Sequence, residues 1–412
     1  MAMVMQVLGY AVLGALALLP ILALMLGVPV KYNVRNLRVR WVTSLLTIVG
    51  ISLVTVVFVM LFAAGIGIER SLVGSGDPLN LITLRAGTTA ESQSVVTKQQ
   101  YDDLLGIPGL LKDAKGEALV SPELVVGANV WKLDGAKANV AIRGVGPKAK
   151  DMRKEFKLLD GGRWFKPSVG ELVVGVGASR RFASLNIGDT PKFRGREWRI
   201  VGKFECGGQA YESELWGDID DIKAQFKRDY SGVLIRCATP AELKRLGNII
   251  QNDKQFKLDA RPTVEYFSEQ NIGGQMMKSF GTVLAVVLGI GAVFGAANTM
   301  YAAVASRTRE IATMRVLGFS RLAIWISFVL ESEVLGLLGG LAGAVAGYGM
   351  FNNMTTGTVN WISFSELAFQ FRVTPELMAT GTVMATVMGV VGGFFPAFRA
   401  SRMTIARALR GL

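Results

Sequence analysis

Histidine is absent from the 412 residues, and cysteine occurs only twice. Without histidine the chain lacks the commonest metal ligand and the commonest general base at neutral pH, which lowers the standing of hydrolytic and zinc chemistry. Two cysteines, Cys206 and Cys237, are too few for a thiolate cluster or a disulfide framework, and with no histidine beside them a thiol protease does not fit. No GxxxxGK[ST] phosphate loop occurs, so ATP hydrolysis of that type has to be done by a partner chain. Asp160 to Val176 holds four glycines but lacks the strand, GxGxxG and helix order of a dinucleotide site; turns account for it. Glu155, Asp160 and Glu171 supply carboxylates, yet nothing in their spacing sets two of them across a cleft for acid and base work. No catalytic residue, metal site or cofactor site emerges from this chain.

Charge itself is missing from four long blocks: Met1 to Val30, Trp41 to Ile68, residues 279–306 and Leu377 to Phe398. A hydrocarbon layer needs about 20 apolar residues per helix, and each block reaches that length. Half of all residues are hydrophobic, 48 are glycine and mean hydropathy is +0.37, so the protein is integral to a membrane. The net charge of +13 does not point to nucleic acid, because of where it lies. Lys31 to Arg40, Arg307 to Arg321 and Arg399 to Arg410 together carry twelve basic residues and one acid, the pattern of segments kept in the cytosol. Glu69 to Lys278, by contrast, carries 32 basic and 27 acidic residues over 210 positions, and is long enough to bury a core of its own outside the membrane.

Four core spans are read, at about 42–68, 280–303, 323–350 and 377–398, the third of which begins after Arg321 and holds two acids. An extra N-terminal transmembrane helix is expected within residues 1–30. It has no basic n-region and no small-residue cleavage site, so it reads as retained. Residues 31–68 form a basic amphipathic segment and the first core span, residues 69–278 the extracytoplasmic domain, and residues 279–412 three core spans with a basic tail. Within the domain, alternating runs predict strands at Leu79 to Leu84, Val140 to Ile142, Glu171 to Val176, Trp198 to Phe204 and Gly232 to Ile235. Helical spacing fits Thr97 to Leu105, Ile219 to Phe226, Pro240 to Asn252 and Thr263 to Lys278. That mixture gives an α/β domain. Cys206 and Cys237 both fall in it; a disulfide and two separate buried thiols each suit an oxidising compartment.

Between the second and third core spans, Arg307 to Arg321 reads as a short amphipathic helix at the membrane face. Ile311, Met314, Val316 and Leu317 form its apolar stripe, Arg307, Arg309, Glu310 and Arg315 its polar side, and Gly318 its C-terminal stop. Glu331 and Glu333 then fall inside a span, where burial of a carboxylate demands partners or water. Gly336 and Gly340 recur on one phase, and Gly339, Gly343 and Gly347 on the next, so two small-residue faces are available for close helix packing, one within the chain and one across a dimer.

The run Arg307-Thr-Arg-Glu-Ile-Ala-Thr-Met-Arg-Val-Leu-Gly-Phe-Ser-Arg321, with Phe328-Val-Leu-Glu-Ser-Glu-Val-Leu-Gly-Leu-Leu-Gly-Gly340, resembles the signature of MacB/FtsX-type permeases of ABC transporters, a family that includes lipoprotein-release and macrolide-exporter-like members. Asn33 to Ile51, Gly161-Gly-Arg-Trp-Phe165, Trp198-Arg-Ile-Val-Gly202 and Pro396 to Arg402 resemble the same family. The resemblance implies four core spans, an inserted β-rich lobe at about 156–216 and a bacterial inner-membrane setting. It also implies a cytosolic ABC ATPase subunit, holding ATP and Mg, docked on the short helix at about 305–318. Further implied partners are a second permease, identical or related, and a periplasmic adaptor or outer-membrane component. Under this resemblance Arg307, Arg309, Glu310 and Arg315 make the ATPase contact, while Ile311, Met314 and Leu317 seat the helix and Gly318 turns it. The alternative within the family is a signalling module that regulates an outer partner such as a cell-wall hydrolase without moving a solute.

Overall fold

The computed structural model describes residues 19–21, 35, 39–153, 155–253 and 255–403. The expected N-terminal helix at 1–30, most of the basic segment 31–40 and the tail beyond Met403 therefore lie outside the described residues. In chain order the elements are α1 (Trp41–Val73), β1 (Asn80–Arg85), α2 (Lys98–Leu105), β2 (Val120–Trp131), β3 (Lys137–Val145), β4 (Lys157–Leu158), β5 (Glu171–Gly175), α3 (Val176–Ser179), β6 (Lys192–Phe193), β7 (Arg196–Glu197), β8 (Arg199–Glu205) and β9 (Glu214–Asp218). They continue with α4 (Ile219–Phe226), β10 (Gly232–Arg236), α5 (Pro240–Asn252), β11 (Leu258–Pro262), α6 (Thr263–Glu269), α7 (Ile272–Ser306), α8 (Thr308–Val316), α9 (Arg321–Phe351), β12 (Thr355–Val359), β13 (Glu366–Gln370) and α10 (Pro375–Ser401).

The chain divides into two compact units. One holds residues up to Ala64, Met277–Met354 and Arg372 onward; the other holds Gly65–Met276 and Thr355–Phe371. Among the described residues four helices, α1, α7, α9 and α10, are long and apolar enough to cross a membrane. The starts of α9 and α10 are chemically marked. The Ser320 hydroxyl accepts from the Ala323 amide at 3.1 Å, and the Thr374 hydroxyl accepts from Leu377 at 3.3 Å with Pro375 in the first turn, so both helices begin on capped amides. α9 is the most buried of the four.

The second unit is built on a nine-stranded sheet, ordered β11-β1-β10-β2-β3-β9-β5-β8-β4, with β12–β13 and β6–β7 as separate two-stranded ladders. Its pairs are antiparallel except β3–β9 and β5–β8. Strand alternation sends successive side chains to opposite faces, and both faces are buried. Leu81, Leu124, Ile142, Val174, Leu215 and Ile235 pack on one side under α2, α4 and α5. Ile82, Val173, Val201, Trp216 and Leu234 pack on the other with Tyr211, Tyr266 and Phe267. Strands β4, β5 and β8 from 156–216 continue this sheet beyond β9, which pairs in turn with β3.

The helices read as Thr97–Leu105, Ile219–Phe226 and Pro240–Asn252 are present as α2, α4 and α5. The one read as Thr263–Lys278 is broken by a turn at Gln270 and Asn271 into α6 and α7. Cys206 and Cys237 are both buried and free. The disulfide alternative is corrected by the sheet itself: Cys206 sits in the cluster on one face and Cys237 in the cluster on the other. Burial pushes both thiols up, to about 12 for Cys206 and about 11 for Cys237, so neither is a ready nucleophile.

Candidate functional site

The short helix foreseen between the second and third spans is α8, and its geometry sorts the predicted residues into two groups. Ile311 is buried in a cluster with Met300, Ile324, Phe328 and Ala400, Met314 packs against it, and Ala312 is buried beside it, so the apolar face is held by α7, α9 and α10. Arg309 and Glu310 are exposed. The stop at Gly318 is a full αL cap. Gly318 has φ +97°, its amide donates to Arg315 O at 3.2 Å, and the Phe319 amide donates to Met314 O at 3.1 Å. Leu317 is corrected: it is 72% exposed, beside an equally outward Val316, and does not seat the helix. The cause is helical phase: Leu317 still has helical backbone angles and donates to Thr313 O at 3.0 Å, and at about 100° per residue it falls on the side opposite the buried Ile311 and Ala312.

Arg307 is corrected as well. Instead of facing a partner it is only 5% exposed, and its guanidinium donates from Nη1 to Glu331 Oε2 at 2.8 Å and from Nη2 to Glu331 Oε1 at 3.0 Å. Glu331 is likewise 5% exposed. This fork-to-fork pair joins the residue that opens α8 to a carboxylate on α9, and it answers the demand that a carboxylate in a span be partnered. Arg40 lies against the same corner, its guanidinium donating to Ser306 Oγ. A small cavity of about 20 Å³, lined by Arg40, Thr43, Ser44, Thr47, Glu331 and Ser332 among others, adjoins the pair. Arg315 caps its own turn by donating to Phe319 O at 3.1 Å. Glu333 is buried on α9, and its Oε2 has no hydrogen-bond partner among the described residues.

Both glycine registers of α9 are used inside the chain, which corrects the assignment of one of them to a dimer. A Cβ at Gly336 would stand 2.8 Å from Ala385 O, and one at Gly340 2.8 Å from the Ala385 Cβ, both on α10. A Cβ at Gly339 would stand 2.9 Å from Ile51 Cβ, at Gly343 2.5 Å from Ser52 O, and at Gly347 2.9 Å from Val59 Cγ1, all on α1. Small residues here bring backbones together where lipid offers no hydrophobic drive between helices.

The outer unit contains a buried charge network that the sequence reading missed. Arg143 on β3 donates to Glu91 at 2.6 Å, Glu123 at 2.7 Å and Glu214 at 2.7 Å, and Arg153 donates to Glu123 at 2.9 Å. Strand register brings them together. Glu123 stands opposite Val145 and Glu214 opposite Ala141, so each carboxylate lies diagonally across from Arg143 on one sheet face. Burial pushes Glu91 above the usual carboxylate range despite its bonds to Arg143. Burial also acts upward on Glu123, but Arg153 and Arg143 outweigh it and hold Glu123 below that range. A lone charge inside an apolar alternating run, as in Asn139-Val-Ala-Ile-Arg-Gly-Val145, was the available signal.

Four membrane helices with basic residues gathered at one end, and a separate sheet domain, define a multi-pass inner-membrane protein whose large domain lies outside the cytoplasm. Residues 44–252, half of the chain, match the MacB-like periplasmic core domain, and residues 282–405 match the FtsX-like permease C-terminal family. The chain belongs to the MacB/FtsX permease family of ABC-type systems. It is 22% identical over 93% of its length to an uncharacterized ABC transporter permease of Methanocaldococcus jannaschii, covering 97% of that protein. It is 26% identical over 90% of its length to the macrolide export ATP-binding/permease protein MacB of Chlorobium luteolum, of which it spans 58%. The periplasmic region of MacB from Actinobacillus actinomycetemcomitans superposes with a TM-score of 0.36 at 12% identity, over 49% of this chain and 95% of that one.

Proposed function

We propose that this permease is of the MacB type and turns ATP hydrolysis by a separate cytosolic ATPase into motion of its outer domain, for export or extraction of a substrate. The observation that carries the reading is the mounting of α8. Its exposed Arg309 and Glu310 offer a charged contact, while Arg307, opening the helix, is locked to Glu331 on α9. A load applied to α8 thus enters a span through a rigid bidentate joint and not through a flexible loop. ATP and Mg belong to the ATPase, and paired nucleotide sites imply paired permeases, identical or related. An extra N-terminal span within residues 1–30, a distinct role for the β-rich insertion at 156–216, and a periplasmic adaptor or outer-membrane partner are parts of the same proposal.

The test is Glu310→Lys. The site is exposed and polar, so insertion and folding should persist, yet the ATPase should no longer co-purify, or its hydrolysis should no longer change a labelled distance in the outer domain. If the arginines only set topology, an added inside-positive charge is harmless. Unchanged binding together with unchanged motion would reject the coupling assignment. A stable outer partner with no transported species would replace export by signalling.

A further inference from the structure

The membrane bundle carries a large apolar recess, open along one side, that the coupling assignment does not use. It lies between α1, α7 and α10, has a volume of about 580 Å³, and is walled by Phe58, Phe62, Ile290, Phe294, Met384 and Met388 among others. Its only lining hydroxyls are those of Thr282 and Thr380. Each donates back to its own helix, Thr282 to Lys278 O at 2.9 Å and Thr380 to Glu376 O at 2.7 Å. The walls therefore present no hydroxyl donor to a guest. A buried water needs two to four polar partners, so this space does not suit water, and left empty it would forfeit the dispersion contacts of every wall atom. Its volume falls in the range of sites that take a small apolar ligand.

Position and length narrow the guest. Thr282 and Thr380 stand one turn below Lys278 and Glu376, the charged residues at the outer ends of α7 and α10. From there the lining runs down α7 to Phe294 and down α10 to Val391. At 1.5 Å per residue these stretches measure about 18 Å and about 16 Å. One leaflet of a hydrocarbon core about 30 Å thick is about 15 Å deep. The cavity thus begins at the outer interface and ends near the bilayer centre. Its α7 wall is continuous with the lipid-facing surface, because Val286, Ile290 and Phe294 are also among the exposed apolar residues. On the inner side Phe58 and Phe62 form a paired wall with ring centroids 4.4 Å apart, while the two methionines are unbranched and able to repack around a guest.

We propose that this cavity holds one acyl chain of an outer-leaflet phospholipid, admitted sideways past α7. The proposal stands whether the permease exports or signals. It is tested on the full-length protein in phospholipid nanodiscs, with a benzophenone amino acid replacing Phe58, which is 6% exposed and faces the cavity. The control carries the same probe at Phe328, which is 3% exposed and packed beside α8. Irradiation and mass spectrometry should find a phospholipid adduct at 58 and none at 328. Ala285→Trp and, independently, Val391→Trp fill the cavity from different helices, and each should abolish the adduct while the protein remains monodisperse. No adduct at 58, equal adducts at both positions, or an adduct undiminished in the monodisperse filled variants would overturn the proposal. So would replacement of the phospholipid adduct by that of a diacylated lipopeptide added as competitor.

Discussion

Each unit of the chain buries arginine, and the two arrangements differ in their stoichiometry. In the membrane unit Arg307 and Glu331 are matched one to one by two parallel hydrogen bonds. In the outer unit Arg143 and Arg153 face three carboxylates, Glu91, Glu123 and Glu214. A matched pair leaves no surplus charge, so its role is to join two helices. The outer network has one negative charge in excess, and the surplus falls on Glu91, the carboxylate that burial pushes upward. The two sites show that similar chemistry can serve as a joint between elements or as a frame with one adjustable member.

The largest effect is expected where the frame loses its centre. Arg143→Met leaves three buried carboxylates facing only Arg153 and should destabilise the outer unit by about 3–5 kcal/mol, the usual consequence of breaking a buried pair. Unfolding of the full-length protein in detergent can be followed through Trp216, whose indole N–H donates to Glu214 at 2.7 Å. A loss under about 1 kcal/mol would remove the distinction between frame and joint. Next comes the joint. Arg307→Met and Glu331→Met should each loosen α8, seen as faster proteolysis near Gly318, while the double variant should recover most of the wild-type resistance because no unpaired charge remains. Absence of recovery would mean that the charges act separately.

The smallest effect is expected at Glu91→Gln, which should stay within about 1 kcal/mol of wild type at neutral pH. Its signature is the pH profile. Because the folded carboxyl lies above its ordinary value of 4.5, the native state binds more protons than the unfolded state just above that pH, and stability is lost as pH rises through the folded value. Glu91→Gln should flatten that descent. At Glu123 the sign is reversed: its stabilisation is present above the ordinary value and is lost as pH falls through the lowered one. A wild-type curve without the first slope would contradict the surplus assigned to Glu91.

Patterns that repeat locally were legible in the sequence. The helices α2, α4 and α5, the Gly318 stop and the two glycine registers all rest on spacings of three or four residues. Strand β2 was not legible, because Pro122 and Gly127 punctuate it like a loop. The structure shows why the proline is tolerated: Pro122 O accepts from Gly146, past the end of β3, so its missing N–H removes no bond from the ladder between those strands. The role of Arg307 was also hidden. Its partner lies 24 residues away, and a polar residue at a helix start reads as exposed until the neighbouring helix is in place. Likewise a glycine stripe announces close packing without saying which helix will fill it.

That stripe sets what α9 is able to do. With Gly336 and Gly340 against α10 and Gly339, Gly343 and Gly347 against α1, the helix is keyed on two sides at backbone distance. Turning it about its own axis would replace these glycines by the flanking leucines and valines and drive them into neighbouring main chain. Rotation is therefore barred, and a push received at Glu331 has two outlets: travel along the helix axis, or a tilt shared by α1, α9 and α10 as one block. Under the proposed coupling the bundle would act as a lever with a keyed shaft, and α7, the least enclosed of the four spans, is the one left to shift against the block.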